Sequence, residues 1–276
     1  MGLLRNIYIK VLPAPLKNLA RTAYLKVGST IYRFRHPGTQ CQCNFCGFAA
    51  GKFMAGGYRE GVLHEKQVIG GGFRANARCP KCFSLDRERQ ILYVLRKEIP
   101  LDESSRVLHV APERNLNEMI RKEMTNQVDE CDLVPESYAW APNISKQDLT
   151  NLTFENDSFD LVVCNHVMEH IPEDGKAQAE LLRVLKPGGY AILQIPYSES
   201  IPDTEEDPLI TSVADRLLHY GQDSHVRLYE RNDYIRRVES QGFESQFMQP
   251  NRFRHVDYFG LDPREGIFLF QKPGPS

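Results

Sequence analysis

Residues 154–196 read FENDSFDLVVCNHVMEHIPEDGKAQAELLRVLKPGGYAILQIP, and three runs within them decide the architecture. FDLVVCNHV (159–167) is an apolar run centred on Leu161 to Cys164, the pattern of a strand buried on both faces. AQAELLRVL (177–185) has the spacing of an amphipathic helix, and Lys186-Pro187-Gly188-Gly189 stops it. YAILQIP (190–196) is a second buried strand.

The same alternation continues outward. Upstream, RVLHV (106–110) reads as a strand, NLNEMIRKEM (115–124) as a helix and VDECDL (128–133) as a short strand. Downstream, DYIRRVESQGF (233–243) is a helix ended by Gly242, and ESQFMQ (244–249) and GIFLFQK (266–272) are strands. Strands alternating with helices predict a mostly parallel, doubly wound α/β sheet covered on both faces. No helix is evident between the last two strands, so they are expected to pair antiparallel.

Ahead of this body the composition changes. No Asp or Glu precedes Glu60, whereas nine Lys and Arg residues from Arg5 to Arg59 do. The chain as a whole carries a net charge of −2, so a cationic beginning is attached to a rather acidic body without a strong overall pull toward nucleic acid or membrane. Four regions follow: a basic segment 1–38, a Cys- and Gly-rich module 39–84, a connecting helix within 85–104, and the α/β domain 105–276. No apolar run reaches eighteen residues, and the first residues lack the apolar core and cleavage site of a signal peptide. The expected compartment is the cytoplasm. The basic segment reads as a packing element, a phosphate-binding patch, or a peripheral contact with the inner face of the membrane.

Five of the seven cysteines lie between Cys41 and Cys82. Cys43-Asn-Phe-Cys46 and Cys79-Pro-Lys-Cys82 are two C-x-x-C pairs, a spacing that lets both sulfurs of a pair reach one tetrahedral Zn²⁺. Cys43, Cys46, Cys79 and Cys82 are the expected ligands of a zinc-ribbon-like module, and Cys41 is the competing first ligand. Four thiolates saturate the metal, so its role is structural.

Residues 154–196 resemble the fourth strand, following helix and fifth strand of class I S-adenosylmethionine-dependent methyltransferases of the small-molecule type. The family's D-x-F-D-x-V start matches Asp157, Phe159, Asp160 and Val162, its "EH" matches Glu169-His170, and its L-K-P-G-G turn matches Leu185 to Gly189. The cysteine module also resembles a group of bacterial methyltransferase-like proteins with R-C-P-x-C and a charged helix, here Arg78 to Cys82 and Arg87-Glu88-Arg89. The resemblance implies a Rossmann-like sheet of seven strands with an antiparallel final strand, and S-adenosylmethionine as cofactor.

In an open parallel sheet, ligands bind beyond the carboxyl ends of the strands at the topological switch point. Asp132, with Leu133 beside it, is placed to accept the ribose hydroxyls. By the family pattern Asp148 and Leu149 face the adenine, and Asn165 and His166 face the methionine half. The family's first loop is roughly D-x-G-x-G. This chain has His109-Val110-Ala111-Pro112-Glu113 instead, with Glu113 as the substitute carboxylate. His225, with Asp223 to orient it, is the expected general base for the acceptor; His166 is the rival base, and Arg227 an anion-binding candidate. The expected acceptor is an oxygen or nitrogen of a small molecule or saccharide. Two other readings are a zinc-ribbon protein that binds or modifies RNA, and a scaffold without catalysis.

Overall fold

The computed structural model describes residues 27–141, 143–253 and 256–274. The first 26 residues, and with them most of the expectation placed on the basic segment, lie outside the described residues. Residues 27–35 are helical.

The sheet contains β1 (Val107–Val110), β2 (Val128–Asp132), β3 (Ser145–Lys146), β4 (Phe159–Asn165), β5 (Leu185–Gln194), β6 (Glu244–Ser245) and β7 (Leu269–Gln271). Their order is β6-β7-β5-β4-β1-β2-β3. Strands β1 to β5 are mutually parallel, with Leu108 opposite both Asp129 and Val162, while β7 runs antiparallel to β5 and to β6. The expected seven-stranded sheet and its antiparallel final strand are therefore present.

The longer helices are α1 (Asp86–Lys97), α2 (Arg114–Glu123), α3 (Asp174–Val184), α4 (Val213–Tyr220) and α5 (Arg231–Glu239). Side chains alternate across β4. Leu161 and Val163 pack with Ile91, Leu92 and Leu95 of α1 and Leu116 and Ile120 of α2. Val162 and Cys164 pack on the opposite face with Leu181 and Val184 of α3 and Tyr234 and Val238 of α5. Burial on both faces is why the sequence of β4 shows no polar alternation. Truncating Leu181 to alanine there would open a cavity and cost roughly 2–5 kcal/mol.

Three elements differ from the sequence reading. The Lys-Pro-Gly-Gly turn is absorbed into β5 as an irregularity: Phe159 pairs with Leu185 and Leu161 with Tyr190, and Gly188 takes a left-handed φ of 80° to make the turn. Of ESQFMQ only Glu244–Ser245 joins the sheet, with Met248 forming one further bridge to Ile267, and a short helix, Val256–Phe259, intervenes. The segment after β5 holds α4 and a small sheet in which Arg227–Glu230 lies between Tyr197–Ser198 and Glu205–Glu206.

The cysteine module is two antiparallel pairings, 41–42 with 49–50 and 54–56 with 74–78, with a helical turn at Gly61–Glu65 between the last two. This inserted hairpin accounts for the long gap between the C-x-x-C pairs. Arg89 of α1 joins the module to the body. Fully buried, its guanidinium donates to the carbonyls of Ala77, Ser84, Phe259 and Gly260 at 2.6–2.9 Å and lies over the Phe53 ring. A buried charge is tolerable here because carbonyl oxygens surround it.

Candidate active site

The chain steps from β1 to β2 and β3 on one side, then returns to β4 and β5 on the other. The switch point, and hence the crevice, lies beyond the carboxyl ends of β1 and β4. Ala111, just after β1, has φ of 47°, the left-handed conformation for which glycine is the usual residue, and its amide donates to the Cys131 carbonyl at 2.9 Å. The glycine-free loop thus retains a glycine-like turn.

Glu113 occupies the residue before α2, yet its side chain does not cap the helix. It turns inward instead, where Asn165 at the end of β4 donates its amide to Oε2 at 3.2 Å and His109 Nε2 lies at 3.1 Å. The Asn117 amide, 3.3 Å from His109 Nδ1, occupies that nitrogen's lone pair and so directs the His109 proton toward Glu113. Burial would raise the Glu113 pKa, but His109, Arg87 and Asn165 outweigh it and hold the carboxyl below its usual range. His109 itself is completely buried and positions Glu113.

Asp132 ends β2. Its two oxygens accept from the Val134 amide and the Tyr138 hydroxyl, each at 2.7 Å, which leaves further lone pairs for a ligand. Leu133 beside it is exposed. Asp148 accepts from the Thr150 amide and hydroxyl in a local turn, and Leu149 is buried. Asn165 is buried, and its side-chain oxygen has no partner among the described residues. His166, next in the chain, also has a left-handed φ, of 55°.

The four expected ligand sulfurs converge. Cys43 and Cys82 are 3.6 Å apart, Cys46 and Cys79 3.7 Å, and all four lie within 4.8 Å of one another. Zinc–sulfur bonds of about 2.3 Å on a tetrahedron put sulfurs roughly 3.8 Å apart, so the set has the size that Zn²⁺ requires. Cys41 is outside it: its sulfur faces the Asn76 side chain and the Asp257 carbonyl.

A cavity of about 480 Å³ lies between the module and the tips of β4 and β5. One wall carries Gly70, Gly71, Arg74, Arg78 and Arg87; the other carries His166, Glu169, His170 and His225. Ile69 and Tyr197 exchange backbone hydrogen bonds at 2.8 and 3.1 Å, which docks the glycine run against the end of β5. Gly70 has a left-handed φ of 82°, and a Cβ there would sit 3.2 Å from Glu265 Oε1.

Glu169 is 1% exposed, and neither carboxylate oxygen has a hydrogen-bond partner among the described residues. His166 Nδ1 is 3.5 Å from its Oε1, and His170 Nε2 and His225 Nε2 are each 3.9 Å from the same atom. Burial pushes Glu169 up to about 8. Burial and the neighbouring His170 push His225 down to about 3, and burial with Arg87 and Arg74 holds His166 well below its ordinary value.

Two expectations around His225 are corrected. Asp223 is exposed and makes no hydrogen bond to His225; the carboxylate nearest that ring is Glu169. Arg227 is 4% exposed and does not line the cavity. Its guanidinium is occupied by Glu206 and by the carbonyls of Met168, Ile171 and Pro172, where it pins the turn that carries Glu169. The cavity's cationic wall comes from Arg78 and Arg87, since the Arg74 guanidinium is paired with Asp86.

Residues 101–193 match the family described as a methyltransferase domain. An uncharacterized methyltransferase of Bacillus subtilis, YcgJ, is 34% identical over 77 residues, 28% of each chain. A demethylmenaquinone methyltransferase of Clavibacter sepedonicus is 46% identical over 46 residues, 17% of this chain and 19% of that one. This chain thus spans little more than a quarter of the first curated relative and a fifth of the second. The crystal structure of YcgJ covers 67% of this chain and 99% of its own, with a TM-score of 0.45 and 16% identity.

The sequence gives Glu169 and His170 no role beyond the family's EH pair, and gives Tyr138, Arg74 and Arg87 none at the site. The available signals were the H-x-x-E-H spacing from His166 to His170 and the three consecutive glycines at 70–72. Among the described residues no helix is long and apolar enough to cross a membrane.

Proposed function

We propose that the chain is an S-adenosylmethionine-dependent methyltransferase whose acceptor enters the cavity between the cysteine module and the tips of β4 and β5. The observation that carries this reading is the ionised Glu113 held by Asn165 beside the left-handed Ala111, at the switch point of the methyltransferase domain. When bound, S-adenosylmethionine supplies a methyl group on a sulfonium, open to in-line displacement by an oxygen or nitrogen. Glu113 suits its amino group, Asp132 its ribose hydroxyls, and the unpartnered Asn165 oxygen a donor on the methionine half. Asp148 and Leu149 take the adenine side. These residues fit the cofactor by donor and acceptor chemistry.

On the acceptor side His166 and His225, both neutral near pH 7, present lone pairs to an incoming hydroxyl or amine. Their role is to align it and to receive its proton. Arg78 and Arg87 favour a small acceptor that bears negative charge, as sugar phosphates and acidic saccharides do. We further assign Zn²⁺ to Cys43, Cys46, Cys79 and Cys82, where it fixes the module that forms the far wall.

Calorimetric titration with S-adenosylmethionine tests the reading. Saturable one-site binding is expected, and Asp132→Ala should weaken it by roughly 1–3 kcal/mol, the cost of stranding buried polar partners. A folded protein that takes up no cofactor would overturn the proposal in favour of a scaffold.

A further inference from the structure

We propose that Glu169, His170 and His225 form a site for a divalent first-row transition cation on the cavity wall. The tautomer of His170 opens the case. Its Nδ1 donates to the Ser224 carbonyl at 3.2 Å, so Nε2 carries the lone pair, and that lone pair faces the Glu169 carboxylate at 3.9 Å. At that separation the two groups make no hydrogen bond to one another, and neither Glu169 oxygen finds another partner among the described residues. A cation between them satisfies both.

The rest of the cluster agrees. Both Glu169 oxygens and the His225 Nδ1 lack partners among the described residues, and His225 Nε2 lies 3.9 Å from the same carboxylate oxygen. Buried polar atoms are nearly always satisfied, so three orphans in one cluster point to a missing ligand. One donor atom from each of the three residues falls within 4.8 Å of the other two. Metal–ligand bonds of about 2.0–2.2 Å need donors roughly 3.0–3.5 Å apart, a contraction that small side-chain rotations supply.

The scaffold is rigid where it matters. Arg227 donates to the Met168 and Ile171 carbonyls on either side of Glu169-His170, and the Val226 amide donates to the Glu169 carbonyl at 2.9 Å. Two imidazoles and one carboxylate on one side of an ion leave its other positions open, and here the open side is the cavity. Those positions would take oxygen atoms of the acceptor.

This part of the inference rests on the methyl-transfer reading. With the ion bound His225 is a ligand, so His166 alone receives the proton, which a cation-bound hydroxyl gives up more readily; its oxygen then forms the bond to the methyl carbon as the carbon–sulfur bond breaks, and the electron pair stays on sulfur.

The test uses the full chain purified with zinc in its four-cysteine site, titrated with Mn²⁺ by calorimetry and electron paramagnetic resonance, and with Co²⁺ by visible absorption. One equivalent should bind. Glu169→Gln and His225→Ala should each weaken binding by more than about 100-fold, beyond the cost of losing an outer hydrogen-bond partner. Circular dichroism and zinc content confirm that each variant is folded, and His225→Ala serves alone if Glu169→Gln does not fold. Wild-type protein that binds neither ion, or folded variants that bind like wild type, would overturn the site. Cofactor titration runs separately: ion binding without cofactor binding sinks methyl transfer and leaves the cation site standing.

Discussion

Asn165 donates its side-chain amide to the Glu113 carboxylate across 3.2 Å, tying the end of β4 to the loop after β1 although the two residues are 52 positions apart in sequence. The contact exists because β1 and β4 are neighbours in register, Val110 opposite Cys164. It places a fixed negative charge at the switch point, where the aspartate of the usual methyltransferase loop is missing.

Removing that charge should affect the cofactor more than the fold. Glu113→Gln keeps an acceptor for Asn165 but not the charge that would meet an amino group. Calorimetry should show S-adenosylmethionine binding weakened by roughly 1–3 kcal/mol, with the melting temperature little changed. Wild-type affinity in the variant would mean that the amino group lies elsewhere.

Ala111 offers a test of the loop's backbone. A left-handed alanine costs about 1–2 kcal/mol, which glycine relieves, less a smaller entropic loss in the unfolded chain. Ala111→Gly should therefore be neutral or stabilising by up to about 1 kcal/mol. Ala111→Val should lose stability and cofactor binding together, because a β-branched residue resists positive φ. Denaturant titration of the two variants reads the difference, and a valine variant as stable as wild type would refute the strain.

The four-cysteine cluster predicts one zinc per chain by elemental analysis. Cys79→Ser should lose the metal and unfold the module, whose own apolar cluster is small and consists largely of the cysteines and Phe48 and Phe53. Cys41→Ser should keep the metal, since that sulfur faces Asn76 and Asp257. Retention of zinc in the first variant and its loss in the second would reverse the ligand assignment.

How much of this was legible in the sequence depended on how local the signal was. The β4–α3–β5 unit showed itself because unbroken apolar runs flank an amphipathic helix, and the zinc ligands showed themselves because C-x-x-C is a local spacing. The strands at 205–206 and 227–230 are short and owe their pairing to each other, so no periodicity marks them. Helix α4 did leave a trace: Ser212 caps it by accepting from the Asp215 amide, and Gly221 ends it in a left-handed conformation. The cavity wall was out of reach. His225 meets Glu169 because Val226 and Arg227 bind the 168–172 turn, and a sequence-near carboxylate such as Asp223 was the wrong partner to choose. Arg74 and Arg87 reach the cavity only through the docking of a separate module.

Glu88 gives a prediction in pH. It sits in the first turn of α1, 6% exposed, where Oε1 accepts from the Leu85 amide at 3.1 Å and Oε2 lies 3.4 Å from the Asn115 amide. Burial, reinforced by the Glu113 carboxylate, pushes its pKa up to about 7. The folded pKa is raised above that of the unfolded chain, so the native state binds the extra proton. The group's stabilising contribution is full below the unfolded value, about 4.3, and is lost as pH rises through about 7. Glutamine mimics the protonated acid: its oxygen still accepts from the Leu85 amide, its NH2 forgoes the long contact with Asn115, and there is no charge to bury. Glu88→Gln should therefore match wild type near pH 4.5 and exceed it at pH 8, by about 1–3 kcal/mol before other titrating groups are considered. Urea unfolding at several pH values measures this directly. A stability difference between variant and wild type that stays flat from pH 4.5 to 8 would show that Glu88 ionises normally, and a variant weaker at pH 8 would show that its charge is used rather than tolerated.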